Sequence, residues 1–199
     1  MGGVVTFTHD IISRRTYYKK RWQALKAKEI TLTAIFTSLT IVGAQIYIPI
    51  GEVPITLQVL FVLMSGLILK EKLGFMSQIT YVLMGAIGLP VFAGFKGGFT
   101  HIIGPTGGYI IAFPLSAWIV GKVSRKSGFK RYVLASFVGI MVIYMLGTSW
   151  LGIYLKSAKT AILLGMIPFI LWDVLKALIA SYIAYKYESY FKNDLQKIF

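Results

Sequence analysis

Asp173 and Lys176, in Trp172-Asp173-Val174-Leu175-Lys176, put charge inside a long apolar run. Of the seven acidic residues (Asp10, Glu29, Glu52, Glu71, Asp173, Glu188, Asp194) only Asp173 falls in the middle of such a run. Of the 21 lysines and arginines only Lys176 does. Three positions apart, the two side chains leave one face of a helix. A charge at mid-membrane costs at least about 2.5–3.5 kcal/mol and turns toward a bundle interior or a wet cavity. An ionised aspartate offers acceptors only and lysine offers donors only. Together they suit a small ligand that carries N–H groups beside a C=O, such as a cyclic urea or amide. Two other readings of the pair are open: mutual neutralisation that ties helices together, and a carboxylate that carries a proton.

A second candidate is the stretch Gly88–Tyr109, Gly-Leu-Pro-Val-Phe-Ala-Gly-Phe-Lys-Gly-Gly-Phe-Thr-His-Ile-Ile-Gly-Pro-Thr-Gly-Gly-Tyr. Seven of its 22 residues are glycine, against 20 in the 199-residue chain, about a threefold enrichment. Glycine allows positive φ and close backbone approach to a ligand or helix. The stretch is also apolar and aromatic, which predicts a packed lid over a cavity rather than a solvated linker. Phe92, Gly98, Thr106 and Tyr109 all fall within this stretch. No Gly-x-x-x-x-Gly-Lys-Ser/Thr occurs, so the chain is not itself a P-loop ATPase. Polar residues recur at the same ends of other spans: Gln45 and Tyr47, Gln58, and Thr148-Ser149-Trp150. Each alone reads as an interhelical hydrogen bond; their shared end is the informative part. His101 reads as structural. With His9 the only other histidine and no cysteine, no metal site is expected and the redox compartment is undetermined.

The elements that must position these residues follow from hydropathy. Mean hydropathy is +0.71, 56% of residues are hydrophobic and 14% are charged. A soluble domain would carry about 25% charged residues. Apolar runs cover roughly 30–50, 54–70, 73–90, 105–122, 131–151 and 161–185, and about 20 residues at 1.5 Å rise cross a ~30 Å hydrocarbon core. A hairpin at Lys70-Glu71-Lys72-Leu73-Gly74 joins the second and third, Pro54 opens the second, and Pro114 and Pro168 should kink the spans that hold them. The expected architecture is an all-α integral membrane protein of six transmembrane helices, with the Gly-rich outer loop between helices 3 and 4.

Seventeen Lys and Arg lie in the N-terminal segment, the second and fourth connections and the C-terminal segment, while Lys96, Lys156 and Lys159 lie opposite. That bias places both termini in the cytoplasm of a multi-pass plasma-membrane protein. It divides the chain into a basic N-terminal segment 1–28, a six-helix membrane domain 29–190 and a tail 191–199. Tyr17, Tyr18 and Trp22 fit an interfacial belt, and 17–27 reads either as a basic helix on the inner leaflet or as a solvated tail. No cleavable signal peptide is expected. The net charge of +14 lies in short connections and ends, leaving no groove for nucleic acid. Ala34-x-x-x-Ser38 is a small-residue pair that permits close helix contact.

Five segments in order, Val53-Pro-Ile-Thr-Leu-Gln58, Gly88-Leu-Pro-Val-Phe-Ala-Gly-Phe95, Gly104-Pro-Thr-Gly-Gly-Tyr109, Gly147-Thr-Ser-Trp-Leu151 and Pro168-Phe-Ile-Leu-Trp-Asp-Val-Leu-Lys-Ala177, resemble the BioY family. These are the biotin-capturing S components of energy-coupling-factor (ECF) transporters. The resemblance covers about 30–185; residues 1–28 carry none of it. It implies biotin as ligand, with a transmembrane coupling protein and two cytoplasmic ATPases as partners, and neither cofactor nor catalysis. It also implies that Ala34 and Ser38 face the coupling protein, with serine where alanine is usual. Biotin's ureido ring matches the charged pair: Asp173 would accept from N–H and Lys176 would donate to the carbonyl. Phe92, Tyr109 and Trp172 would wall the ring, with Gln58, Gly98 and Thr106 nearby. Backbone N–H groups of the loop, Lys96 or Thr106 are open alternatives for the valerate carboxylate. The competing functions are an S component for another vitamin, a proton-coupled secondary transporter using Asp173, and an intramembrane enzyme, for which no nucleophile–base pair is visible.

Overall fold

The structure, a computed structural model, describes residues 26–198, with side chains through Tyr190. The stretch 17–27, read as a basic surface helix or a solvated tail and holding Tyr17, Tyr18 and Trp22, lies outside the described residues up to position 25. The described residues fall into two compact units, one ending at Leu32 and the other beginning at Thr33. In the first, 26–32 are helical and Thr31 Oγ1 donates to Ala27 O at 2.9 Å. Apart from the first turns of the helix Lys26–Gln45, the rest of this section concerns the second.

Helix α1 covers Lys26–Gln45. A two-stranded ribbon follows, β1 Tyr47–Ile48 and β2 Ile55–Thr56, antiparallel with Tyr47 opposite Thr56. Helix α2 is Gln58–Ala86 and α3 is Phe99–Ile102. Then come α4 Gly107–Val123, α5 Phe129–Leu155, α6 Ala158–Gly165, a 3₁₀ turn Ile167–Phe169 and α7 Ile170–Ile198. The structure is mostly helical, as expected, and the ribbon is a local departure from the all-α expectation. Its strands take residues assigned to the first two spans, so α1 stops at Gln45 and α2 starts at Gln58, leaving Pro54 in the connection rather than in a helical turn. The β-branched residues Ile46, Ile48 and Ile55 favour extended backbone, and the intervening Pro49 and Gly51, at φ 58°, turn the chain back.

The expected hairpin at Lys70 is present and turns on that one residue, at φ 64°, ψ −172°. It splits α2 into arms 58–69 and 71–86. Gln58 bonds Tyr81 and Gln78 bonds Ser65, pairs that only an antiparallel fold-back brings together. At 1.5 Å per residue the arms are about 18 and 24 Å long, each short of a ~30 Å core. Among the described residues, three helical segments are long and apolar enough to cross a membrane: Lys26–Gln45, Phe129–Leu155 and Ala158–Tyr190, the last including the turn at Pro168; Gly107–Val123 is shorter. Helix α4 runs through Pro114.

The packing is that of a membrane protein. Leu171 and Ile153 are 78% and 77% exposed, which water would not tolerate in such number and lipid does. The interior instead holds small and polar residues. A Cβ on Gly66 would lie 2.5 Å from Ala117 O, and one on Gly139 would lie 2.4 Å from Val120 Cγ2, so α4 approaches α2 and α5 at backbone distance. Gln78 Nε2 donates to Thr40 Oγ1 at 3.1 Å and Ser65 Oγ at 3.2 Å, tying α1 to both arms of α2. Ser136 and Ser181 pair at 3.0 Å between α5 and α7.

At the turn end of α2, Lys70 Nζ donates to Ser124 O at 3.1 Å. Arg125 Nη2 meets Glu71 Oε1 at 2.6 Å, and this guanidinium holds the Glu71 carboxyl below the usual carboxylate range. Tyr132 and Ser127 donate to Glu188 at the same end.

Candidate functional site

At the opposite end the ribbon, the Gly-rich loop and the ends of α4, α5 and α7 enclose a cavity of about 420 Å³, within the size range of small-molecule sites. Its polar wall is built on α7. Pro168 cannot continue α6, because it lacks an N–H, and a 3₁₀ turn restarts the chain as α7. Asp173 therefore stands in the first turn of α7 rather than in mid-helix, where the unpaired amides of a helix start favour negative charge. Lys176 Nζ donates to Asp173 Oδ1 at 2.7 Å, and Tyr144 Oη on α5 donates to Oδ2 at 2.7 Å. Asp173 and Lys176 are 3% and 5% exposed, yet both line the cavity. A carboxylate has about four lone-pair sites and an ammonium three donors, so each retains capacity for a ligand.

Aromatic rings also line the cavity. Phe92 rests on Gly85, where a Cβ would lie 2.0 Å from the ring, and meets Tyr81 edge-on with centroids 5.6 Å apart. Tyr109 is seated on Gly147, and its hydroxyl donates to Gly165 O at 2.8 Å. Gln58 lines the cavity with its amide held by Thr56 and Tyr81.

The Gly-rich loop is packed. Phe92 N donates to Lys96 O at 2.8 Å, closing a tight turn through Gly94 and Phe95, both at positive φ. Gln45 Nε2 donates to Phe92 O at 3.1 Å, and Gln45 Oε1 accepts from Phe95 N at 2.9 Å. Trp150 Nε1 donates to Gly104 O at 2.8 Å. The polar span ends at Gln45 and Trp150 thus moor the loop from α1 and α5 and do not line the cavity.

Of the residues assigned to the ligand from sequence, Asp173, Lys176, Phe92, Tyr109, Gln58, Thr106 and Lys96 line the cavity. Two do not. Trp172 is 46% exposed and shares the outward face of α7 with Leu175 and Ile179, at i+3 and i+7. Gly98 instead turns the chain into α3 at φ 97°, donating its N–H to Gly85 O at 2.7 Å and accepting from His101 N. Sequence reasoning missed Tyr144, Phe169, Glu52 and His101 as cavity residues. Two left a signal: Phe169 is one turn before Asp173, and a tyrosine inside an apolar span must find its hydroxyl a partner. Among the described residues no three His, Cys, Asp or Glu side chains gather as a metal site.

Comparison with known proteins gives one consistent match. The model of the BioY family matches residues 17–193. A probable biotin transporter BioY of Pyrococcus horikoshii is 52% identical over 160 residues, 80% of this chain and 96% of that protein. A biotin transporter BioY of Thermotoga maritima is 44% identical over 158 residues, 79% of this chain and 94% of that protein. A crystal structure of the S component for biotin from an ECF-type ABC transporter superposes with a TM-score of 0.72 at 28% identity, covering 83% of this chain and 93% of that one.

Proposed function

Because this chain belongs to the BioY family, we propose that it is a biotin-binding S component that captures the vitamin outside the cell for import. The observation that carries this reading is the buried Asp173–Lys176–Tyr144 group on one wall of an aromatic cavity. Biotin's ureido ring presents two N–H groups and one carbonyl. Asp173 accepts from N–H and Lys176 donates to the carbonyl, while Phe92 and Tyr109 flank the bicycle and Gln58 and Thr106 complete the lining. Low dielectric strengthens each of these bonds and penalises a ligand that leaves either charge unsatisfied. The relatives are transporters, and the site's work is binding rather than catalysis.

Six spans give this binder its topology: α1, the two arms of α2, α4, α5, and α6 continuous with α7. The membrane domain is 29–190, between a basic segment 1–28 and the tail 191–199. Lysine and arginine bias places both termini in the cytoplasm and the cavity outside, in the plasma membrane. Import against a gradient needs energy that this chain has no P-loop to supply. A transmembrane coupling protein with two cytoplasmic ATPases fills that role, docking where Ala34 and Ser38 are exposed on α1.

Mass spectrometry of the detergent-extracted protein, followed by biotin titration calorimetry, tests the assignment. Co-purified biotin and saturable 1:1 binding are expected. A different bound vitamin, or biotin uptake in proteoliposomes driven by a pH gradient alone, overturns it.

A further inference from the structure

His101 lines the cavity with its Nδ1 buried and without a hydrogen-bond partner. Its ring is held rather than free. The Phe92 ring packs against it with centroids 6.4 Å apart and an interplanar angle of 36°. Its backbone N–H donates to Gly98 O at 3.1 Å, which anchors the first turn of α3. A buried polar atom without a partner costs about 1–3 kcal/mol, and a pocket that keeps one gains that back only from a ligand that pairs it.

The polar group of the ligand that fits here is anionic. Asp173, Lys176 and Tyr144 on α5 and α7 already match the ureido ring, so the end of the cavity under the loop is left for the ligand's other polar group, a carboxylate. The competing donors there differ from His101 in hydration. Lys96 and Thr100 are exposed and Thr106 is half-buried, so water can satisfy their side chains; Nδ1 has neither water access nor a protein partner. Glu52 at the ribbon tip is the cavity's other carboxylate; it is exposed and can offer only acceptors.

We infer that His101 Nδ1–H is the hydrogen-bond donor that holds the ligand's carboxylate beneath the Gly-rich loop, an inference that rests on the biotin reading above. An imidazole protonated at Nδ1 donates whether neutral or cationic. Gly98 is then a positioning residue, since its backbone turns the chain so that His101 enters the cavity.

The test compares biotin with biotin methyl ester on the full chain by calorimetry. H101F keeps a ring against Phe92 and removes the donor. It should weaken biotin by about tenfold or more, the size of a charged hydrogen bond, and the ester by less than about threefold. H101N, whose amide reaches near the Nδ1 position, should keep most of the preference for the acid. Equal losses for both ligands, or none for biotin, overturn the inference. A readout on the unaltered protein guards against misfolding of a variant. The chain has two histidines, His9 and His101, so ¹⁵N spectra of histidine-labelled protein, assigned with H9Q, isolate the His101 Nδ1 signal. It should move on adding biotin and move less with the ester; no movement, or the same movement with both, overturns the inference. An unaltered protein that binds neither ligand overturns the biotin reading as well, whereas biotin binding that His101 leaves untouched overturns this inference alone.

Discussion

Tyr144 on α5 donates its hydroxyl to Asp173 Oδ2 on α7 at 2.7 Å, across 29 positions of sequence. That bond locks the aspartate's second oxygen while Lys176 holds the first, so the carboxylate is oriented before any ligand arrives. Orientation in advance reduces the entropy lost on binding.

Removing parts of this group should have graded effects. Tyr144→Phe and Asp173→Asn should each weaken biotin binding by about 1–3 kcal/mol. Lys176→Met should do so as well, and should also lower thermal stability, because it strands a buried carboxylate. Calorimetry and melting curves on the purified variants separate the two effects. Full biotin affinity in all three folded variants would contradict the assignment of this wall.

Gly147 is the seat of Tyr109: a Cβ there would lie 2.2 Å from the ring, whereas one on Gly152, a turn and a half along α5, meets nothing closer than 3.7 Å. Gly147→Ala should therefore destabilise by about 1–3 kcal/mol, the usual cost of overpacking, and displace the cavity wall. Gly152→Ala should fold and bind normally. Comparison of the two melting temperatures and biotin affinities checks this.

Tryptophan fluorescence should report loop movement through Trp150 alone of the two tryptophans near the site. Trp150 holds Gly104 of the loop, while Trp172 faces outward. Biotin titration of Trp172→Phe should retain the fluorescence change of the unaltered protein, and Trp150→Phe should lose most of it.

Ala34 and Ser38 lie exposed on α1 and line no part of the cavity. Ala34→Trp and Ser38→Trp should leave biotin affinity within about twofold, well under one lost hydrogen bond, yet abolish uptake in cells that express the coupling protein and ATPases. Radiolabelled biotin binding and uptake, measured on the same membranes, distinguish the two.

Hydropathy and charge were enough to read a helical membrane protein with its chemistry at one end, because a lipid environment demands long apolar helices whatever their packing. Spacing was enough to set Asp173 and Lys176 on one face, since a helix brings positions three apart together. Spacing misled at Trp172: it lies 100° around the helix from Asp173, and only the neighbours of α7 decide which side of that boundary meets the cavity. The ribbon at Tyr47–Thr56 escaped because its residues are as apolar as the spans they join. A few local pairings, not hydropathy, end α1 at Gln45.

What the amino-acid order determined by itself is the family, the membrane habit and the charged pair, all of which rest on local pattern. The tertiary structure alone decided that Tyr144 completes that pair, that Gln45 and Trp150 moor the loop instead of touching ligand, and that His101 Nδ1 is left buried and unpaired. Each of these depends on contacts between segments distant in sequence, where close packing rather than periodicity chooses which polar atom meets which.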